Sequence, residues 1–195
     1  MEKLWLVTDS ATGAVLAQVV TGGAHPQDEG FAFDPETMTA EEVDRQGDPA
    51  CERWDAVAGA WTMDADKVDA ALHARIDAAA GAIRLRFITD IPGQMLIYER
   101  KEREARAFLA AEDPVLADYP LVAAEVAATG RSGAEAAATV VATAELWTAI
   151  AAAIEAARIG AKRAVSAAET REDKAAAATV DWDGVIAAAQ AGNGT

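Results

Sequence analysis

The chain has 195 residues, 52% of them hydrophobic and 25% charged, with a formal net charge of −15. That is enough apolar content for a real core in one or two domains, and the negative charge argues against direct nucleic-acid binding, because phosphate would be repelled. One cysteine, Cys51, excludes an internal disulfide, and the neighbouring Asp48 and Glu52 disfavour a thiolate.

The charge is uneven. Residues 1–66 hold 14 Asp/Glu and 3 Lys/Arg, whereas residues 67–195 hold 18 and 14. A solvated surface accounts for this without invoking a partner. No basic segment precedes an apolar run at the N-terminus, so no secretory leader is expected. The Ala runs are interrupted by charges and read as too weakly apolar for a membrane span. No membrane insertion is expected.

The β-rich runs Lys3–Val7 and Ala14–Val20 flank a turn-forming Thr8-Asp9-Ser10-Ala11-Thr12-Gly13, which predicts a hairpin. Residues 24–50, rich in Pro, Gly and acids, read as loop with a short helical turn at 40–45. A second hairpin is predicted over Glu52–Asp55 and Ala60–Met63, with Trp54 and Trp61 paired across it. Trp5, Trp54 and Trp61 are expected to form the core of a small β domain or, alternatively, a docking or ligand-stacking surface.

Asp64 and Asp66 then open a helix whose apolar face is Val68, Leu72, Ile76, Ala79, Ile83 and Phe87. Asp64-x-Asp66-x-x-Asp69 resembles half a calcium loop but lacks its Gly and distal Glu, so helix capping is the better reading. A break at Asp90-Ile91-Pro92-Gly93 precedes a helix from Gln94 to Ala111, with ion pairs such as Glu102–Arg106 on its exposed face. A short helix covers Leu121–Ala128.

The longest element spans about 132–170. Ser132 and Glu135 have capping-box spacing. Val140, Trp147, Ile154 and Ala161 recur every seven residues, and Ile150 joins them on the same stripe. At 1.5 Å per residue this helix would be about 60 Å long. It must pack on neighbouring helices, on copies of itself, or on both. Val140, Trp147, Ile150, Ile154 and Ala161 are the expected oligomer or partner interface, with Gly160 allowing close backbone approach. Arg158 and Lys162 read as part of a solvated face. A last short helix over Val180–Ala191 and a frayed tail complete the chain.

The expected fold is therefore α+β: a small acidic N-terminal antiparallel β domain over residues 1–65, then an Ala-rich helical bundle or coiled-coil stalk over 66–195. His25 and His73 are isolated, no Cys/His set has zinc spacing, and no phosphate loop, dinucleotide fingerprint or hydrolase elbow occurs. No enzyme activity, cofactor or metal is expected.

A resemblance extends this reading. Ile83-Arg84-x-Arg86-Phe87-Ile88-Thr89, Pro92-Gly93-Gln94-Met95 and Tyr98-x-x-Lys101-x-x-Glu104-Ala105 resemble a segment of tailed-bacteriophage proteins. Asp118-Tyr119-Pro120-Leu121, Trp147-x-x-Ile150-x-x-x-Ile154-Glu155-x-x-Arg158 and Val180-Asp181-Trp182 continue it. The Trp54-Asp55…Gly59-Ala60-Trp61 hairpin is similar to those of tail-fibre and tail-fibre-assembly proteins of phages and gene transfer agents. The resemblance implies a non-enzymatic virion component made in the host cytoplasm. It would act at the tail tip or fibre in attachment or assembly, as a homo-oligomer, a trimer by expectation, bound to other virion proteins. The alternatives are an assembly chaperone that leaves the particle and a capsid-surface protein.

Overall fold

Strand β1 (Lys3–Asp9) runs antiparallel to β2 (Val15–Thr21), as the first hairpin predicted. The turn forms because Asp9 folds back on it: its Oδ1 accepts from the amides of Ala11 and Thr12 and from the Thr12 hydroxyl. On its other edge β1 carries β3 (Met38–Glu42), giving the order β2-β1-β3. This corrects the expected loop and helical turn at 40–45. Thr39-Ala40-Glu41-Glu42 has little strand propensity of its own; tertiary pairing overrides it. Leu6 and Val7, on the central strand, are fully buried. Cross-strand pairs fix the register: the Thr8 and Thr39 hydroxyls meet at 2.7 Å and Lys3 Nζ reaches Glu42 Oε2 at 2.6 Å.

A separate hairpin joins β4 (Glu52–Asp55) and β5 (Ala60–Met63). Trp54 and Trp61 stand directly opposite each other, centroids 5.5 Å apart and rings at 68°. Its turn is closed by Asp55 Oδ1, which accepts from Val57 and Ala58, and by Gly59 at φ +60°.

Among the described residues six α-helices follow: α1 (Ala65–Arg84), α2 (Gln94–Ala110), α3 (Pro120–Thr129), α4 (Gly133–Ala167), α5 (Arg171–Ala177) and α6 (Trp182–Gly192). Asp64 starts α1 by accepting from the Lys67 amide, the capping role preferred for it over calcium binding. The architecture is thus α+β, with small antiparallel sheets followed by helices. This computed structural model describes residues 1–88 and 91–192. Thr89 and Asp90, within the expected resemblance and break, and the expected frayed tail Asn193–Thr195 lie outside the described residues. The chain forms two compact units, Met1–Ala71 and Leu72–Thr195, a division that falls inside α1, against an expected boundary at residue 65.

In the second unit α4 supplies members to three apolar clusters in succession. Ala137, Val140 and Val141 pack with Ala105, Phe108 and Val122. Ile150 and Ile154 pack with Ala80, Ile83 and Ile186. Ala161 and Val165 pack with Ile76 and Ala178. The buried pairs Ile150/Ala161 and Ile154/Val165 are eleven residues apart. A helix of about 3.6 residues per turn drifts off a strict heptad, so the buried stripe continues at Val165 rather than fourteen residues after Ile150.

The N-terminus of α4 carries the predicted capping box. Ser132 Oγ accepts from the Glu135 amide at 3.3 Å, and Glu135 Oε2 accepts from the Ser132 amide at 2.9 Å. Ser132→Ala is expected to cost about 0.5–2 kcal/mol. A chemical-denaturation midpoint for the helical unit equal to wild type would contradict this.

Its C-terminus comes earlier than the expected 170. Thr170 Oγ1 accepts from the Asp173 amide and caps α5 instead. Lys174, only 3% exposed, donates from Nζ to the Val165 carbonyl at 2.9 Å. A cation there also meets the negative end of the α4 dipole. Within the chain, a methyl on Gly160 would meet open space. The close approach is at Gly133, where a methyl would lie 2.6 Å from Phe108 Cζ.

Candidate functional site

The stripe expected to join one copy to another is covered within the chain. Ile150 is 1% exposed and Ile154 is fully buried. Ala161 is buried, and Val140 and Trp147 are partly buried against the same clusters. Trp147 also stacks on Phe87, 6.1 Å between centroids. Ile150, Ile154 and Ala161 of the expected interface are thus packed on α1 and α6 of the same chain, while Val140 and Trp147 keep part of their surface open.

Arg158 and Lys162 are likewise not simply solvated. Arg158 reaches Glu155 Oε1 and Asp77 Oδ1, both at 2.7 Å, Lys162 reaches Asp77 Oδ2 at 2.8 Å, and Arg84 reaches Glu155 Oε2 at 2.6 Å. The network ties α1 to α4. Hydrogen bonding from Arg158, supplemented by Arg84, holds the Glu155 carboxyl at about 2, down from 4.5. Lys162 and then Arg158 lower Asp77, while Glu155 and Asp77 raise Arg158. A depressed folded value contributes stability above the unfolded pKa and loses it as pH falls through the folded one. The melting temperature of the helical unit is therefore expected to drop between pH 4.5 and about 2. Glu155→Gln should flatten that drop; an acid limb superimposable on wild type would count against the network.

Each histidine has partners within its own unit. His73 Nε2 lies 3.1 Å from the Lys162 carbonyl and 3.4 Å from Ser166 Oγ. A carbonyl only accepts, so Nε2 carries the proton in the bond to Lys162 and cannot at once take one from Ser166. His25 belongs to the other unit. Its Nδ1 accepts from the Gln27 amide, and its ring lies edge-on to Trp5 and Phe33. Among the described residues no group of three or more His, Cys, Asp or Glu is placed to hold a metal.

In the β unit the three tryptophans are half-buried, and the fully buried apolar side chains of the sheet are Leu6 and Val7. Trp5 Nε1 donates to Thr21 Oγ1 at 3.0 Å. Trp54 and Trp61 divide two grooves. One, about 290 Å³, is lined by 41–45, Trp54 and Gly59–Trp61; the other, about 330 Å³, by Val15, Pro49, Arg53, Lys67 and the same two indoles. Trp61 rests on Gly47, whose amide and carbonyl are both held by the Gln18 side chain.

No family model, curated protein or solved structure matches this chain. Its surface must be read on its own chemistry. Leu85, Phe87, Ile91, Met95, Leu96 and Ile97 are all exposed, Leu96 at 69%. Leu109, further along α2, is exposed as well. One 18-residue window of α4 reaches a mean hydropathy of 1.6, so by length and composition this helix is apolar enough to cross a membrane. This corrects the reading that no window is; Ala counts as apolar even where it packs on nothing. Only 17% of the window is buried. Ala138, Ala142, Ala152, Ala156 and Ile159 lie along the exposed side of α4.

Proposed function

We propose that the chain is a structural, non-enzymatic part of a tailed-phage-like particle, built on a helical bundle that associates with copies of itself and with other particle proteins. The sequence resemblance supports the particle. The exposed apolar side chains of Leu85, Phe87, Ile91, Met95, Leu96 and Ile97 support the association, because so many large apolar side chains left open mark a surface that is covered in use. The interface moves accordingly, away from Ile150 and Ile154 and onto these residues and the outer face of α4.

Native mass measured across a concentration series tests the reading. A homo-oligomer is expected, three copies being the number to check, and Leu96→Asp with Ile97→Asp should lower the mass while leaving helical circular dichroism unchanged. A monomer at every concentration, with the chain also missing from purified particles, would overturn it. A monomer that captures fibre chains would favour the assembly-chaperone role instead.

A further inference from the structure

We propose that the groove beside Trp54 and Trp61 is a docking site for an extended basic segment of a partner protein, with an Arg or Lys side chain seated against the indoles. This does not depend on the particle reading. The groove lies wholly within the β unit and has two unlike walls. One is the hairpin: Trp54, Gly59, Ala60 and Trp61. The other is the end of β3 and the residues after it, Glu41 to Arg45.

Charge selects the occupant. Glu41, Glu42 and Asp44 are among the residues that line the groove, Glu41 and Glu42 pointing to opposite faces of β3 as neighbours on a strand do. Arg45 also lines it, but its guanidinium is matched by both oxygens of Glu52, at 3.0 and 2.7 Å. Glu42 is matched by Lys3. Glu41 and Asp44 have no ion pair among the described residues. An uncompensated negative wall facing aromatic rings suits a guanidinium or ammonium, which gains from the carboxylates and from the ring faces. The indoles stand at 68°, making a corner rather than a flat stack.

Size and edge chemistry select an extended segment. At about 290 Å³ the groove is at the lower end of small-molecule pockets, room for one long side chain rather than a large ligand. β3 is an outer strand with β1 on one side and no strand on the other among the described residues. An added strand on an outer strand is the usual way an extended segment is held while a pocket reads a side chain. Among the described residues, Trp61 Nε1 is buried without a hydrogen-bond partner.

The five indole N–H signals of the ¹⁵N-labelled full chain test this, assigned by single Trp→Phe changes. The probe is a capped peptide alternating Val and Arg, compared with the same peptide carrying Glu for Arg and with acetyl-arginine amide. Saturable shifts confined to Trp54 and Trp61 are expected with the Arg peptide alone. Glu41→Lys with Asp44→Lys should weaken it about tenfold, since near charges set both encounter and affinity. Unchanged Trp5 signals will show that the sheet is still folded. Four outcomes would overturn the proposal: no saturable shift, equal response to the Glu peptide, unchanged affinity in the double variant, or acetyl-arginine amide alone reproducing the peptide.

Discussion

Replacing Ile150 with Asp is expected to unfold the helical unit, not to separate one copy from another. Ile150 is 1% exposed and sits with Ile154, Ala80 and Ile186. Losing its side chain costs about 2–5 kcal/mol from transfer and cavity alone. A carboxylate set among these apolar side chains must be neutralised or drag in water, adding several kcal/mol. Domains of this size are stable by only about 5–15 kcal/mol, so the sum reaches the whole stability. Far-ultraviolet circular dichroism should fall, and the urea transition should vanish or move to very low urea. Ile150→Val, at about 0.5–1.5 kcal/mol, gives the graded control with the fold kept. If Ile150→Asp keeps its helix signal and lowers only the native mass, the stripe is a seam between chains.

Local rules were readable where the residues that make an element also sit within it. Ser132 and Glu135 announce their own capping box, and Trp54 and Trp61 are placed across a turn that Asp55 and Gly59 build themselves. β3 was not readable, because Thr39–Glu42 becomes a strand only through the vacant edge of β1. The end of α4 was missed because neither Gly nor Pro marks it. Thr170 and the buried Lys174 do so instead, and a lysine in an Ala-rich run looks like any solvated charge until its carbonyl partner is in place. The same holds for Arg158 and Lys162, whose partner Asp77 is on another helix. The apolar stripe was visible, but the partner that covers it was not. Periodicity says that a face is buried without saying whether a neighbour in the same chain or a second copy buries it. Ala80, Ala105 and Ile186 are the neighbours in the same chain that pack on it.

Gly47→Ala should be the most damaging small change in the β unit. A methyl on Gly47 would lie 2.1 Å from Trp61 Cδ2 and 2.3 Å from Cε3, well inside contact distance. Something must move, and both sides are tied. Trp61 cannot retreat without disturbing its edge-to-face contact with Trp54 across the hairpin. The loop cannot lift without giving up two hydrogen bonds, Gly47 N–H to Gln18 Oε1 at 2.7 Å and Gln18 Nε2 to the Gly47 carbonyl at 3.0 Å. Overpacking of this kind costs about 1–3 kcal/mol, and each lost hydrogen bond adds roughly 0.5–1.5 kcal/mol. Hydrogen exchange should therefore accelerate across β2, β4 and β5. The Trp61 indole signal should move, while the helices of Leu72–Thr195 stay protected. Gln18→Ala separates the two terms. Should the methyl act by lifting the loop off Gln18, the double variant will be barely worse than Gly47→Ala alone, because the bonds are already gone. Full additivity would mean that the ring yields and the loop stays pinned. Unchanged exchange in Gly47→Ala would mean that the Trp61 ring does not rest on Gly47 at all.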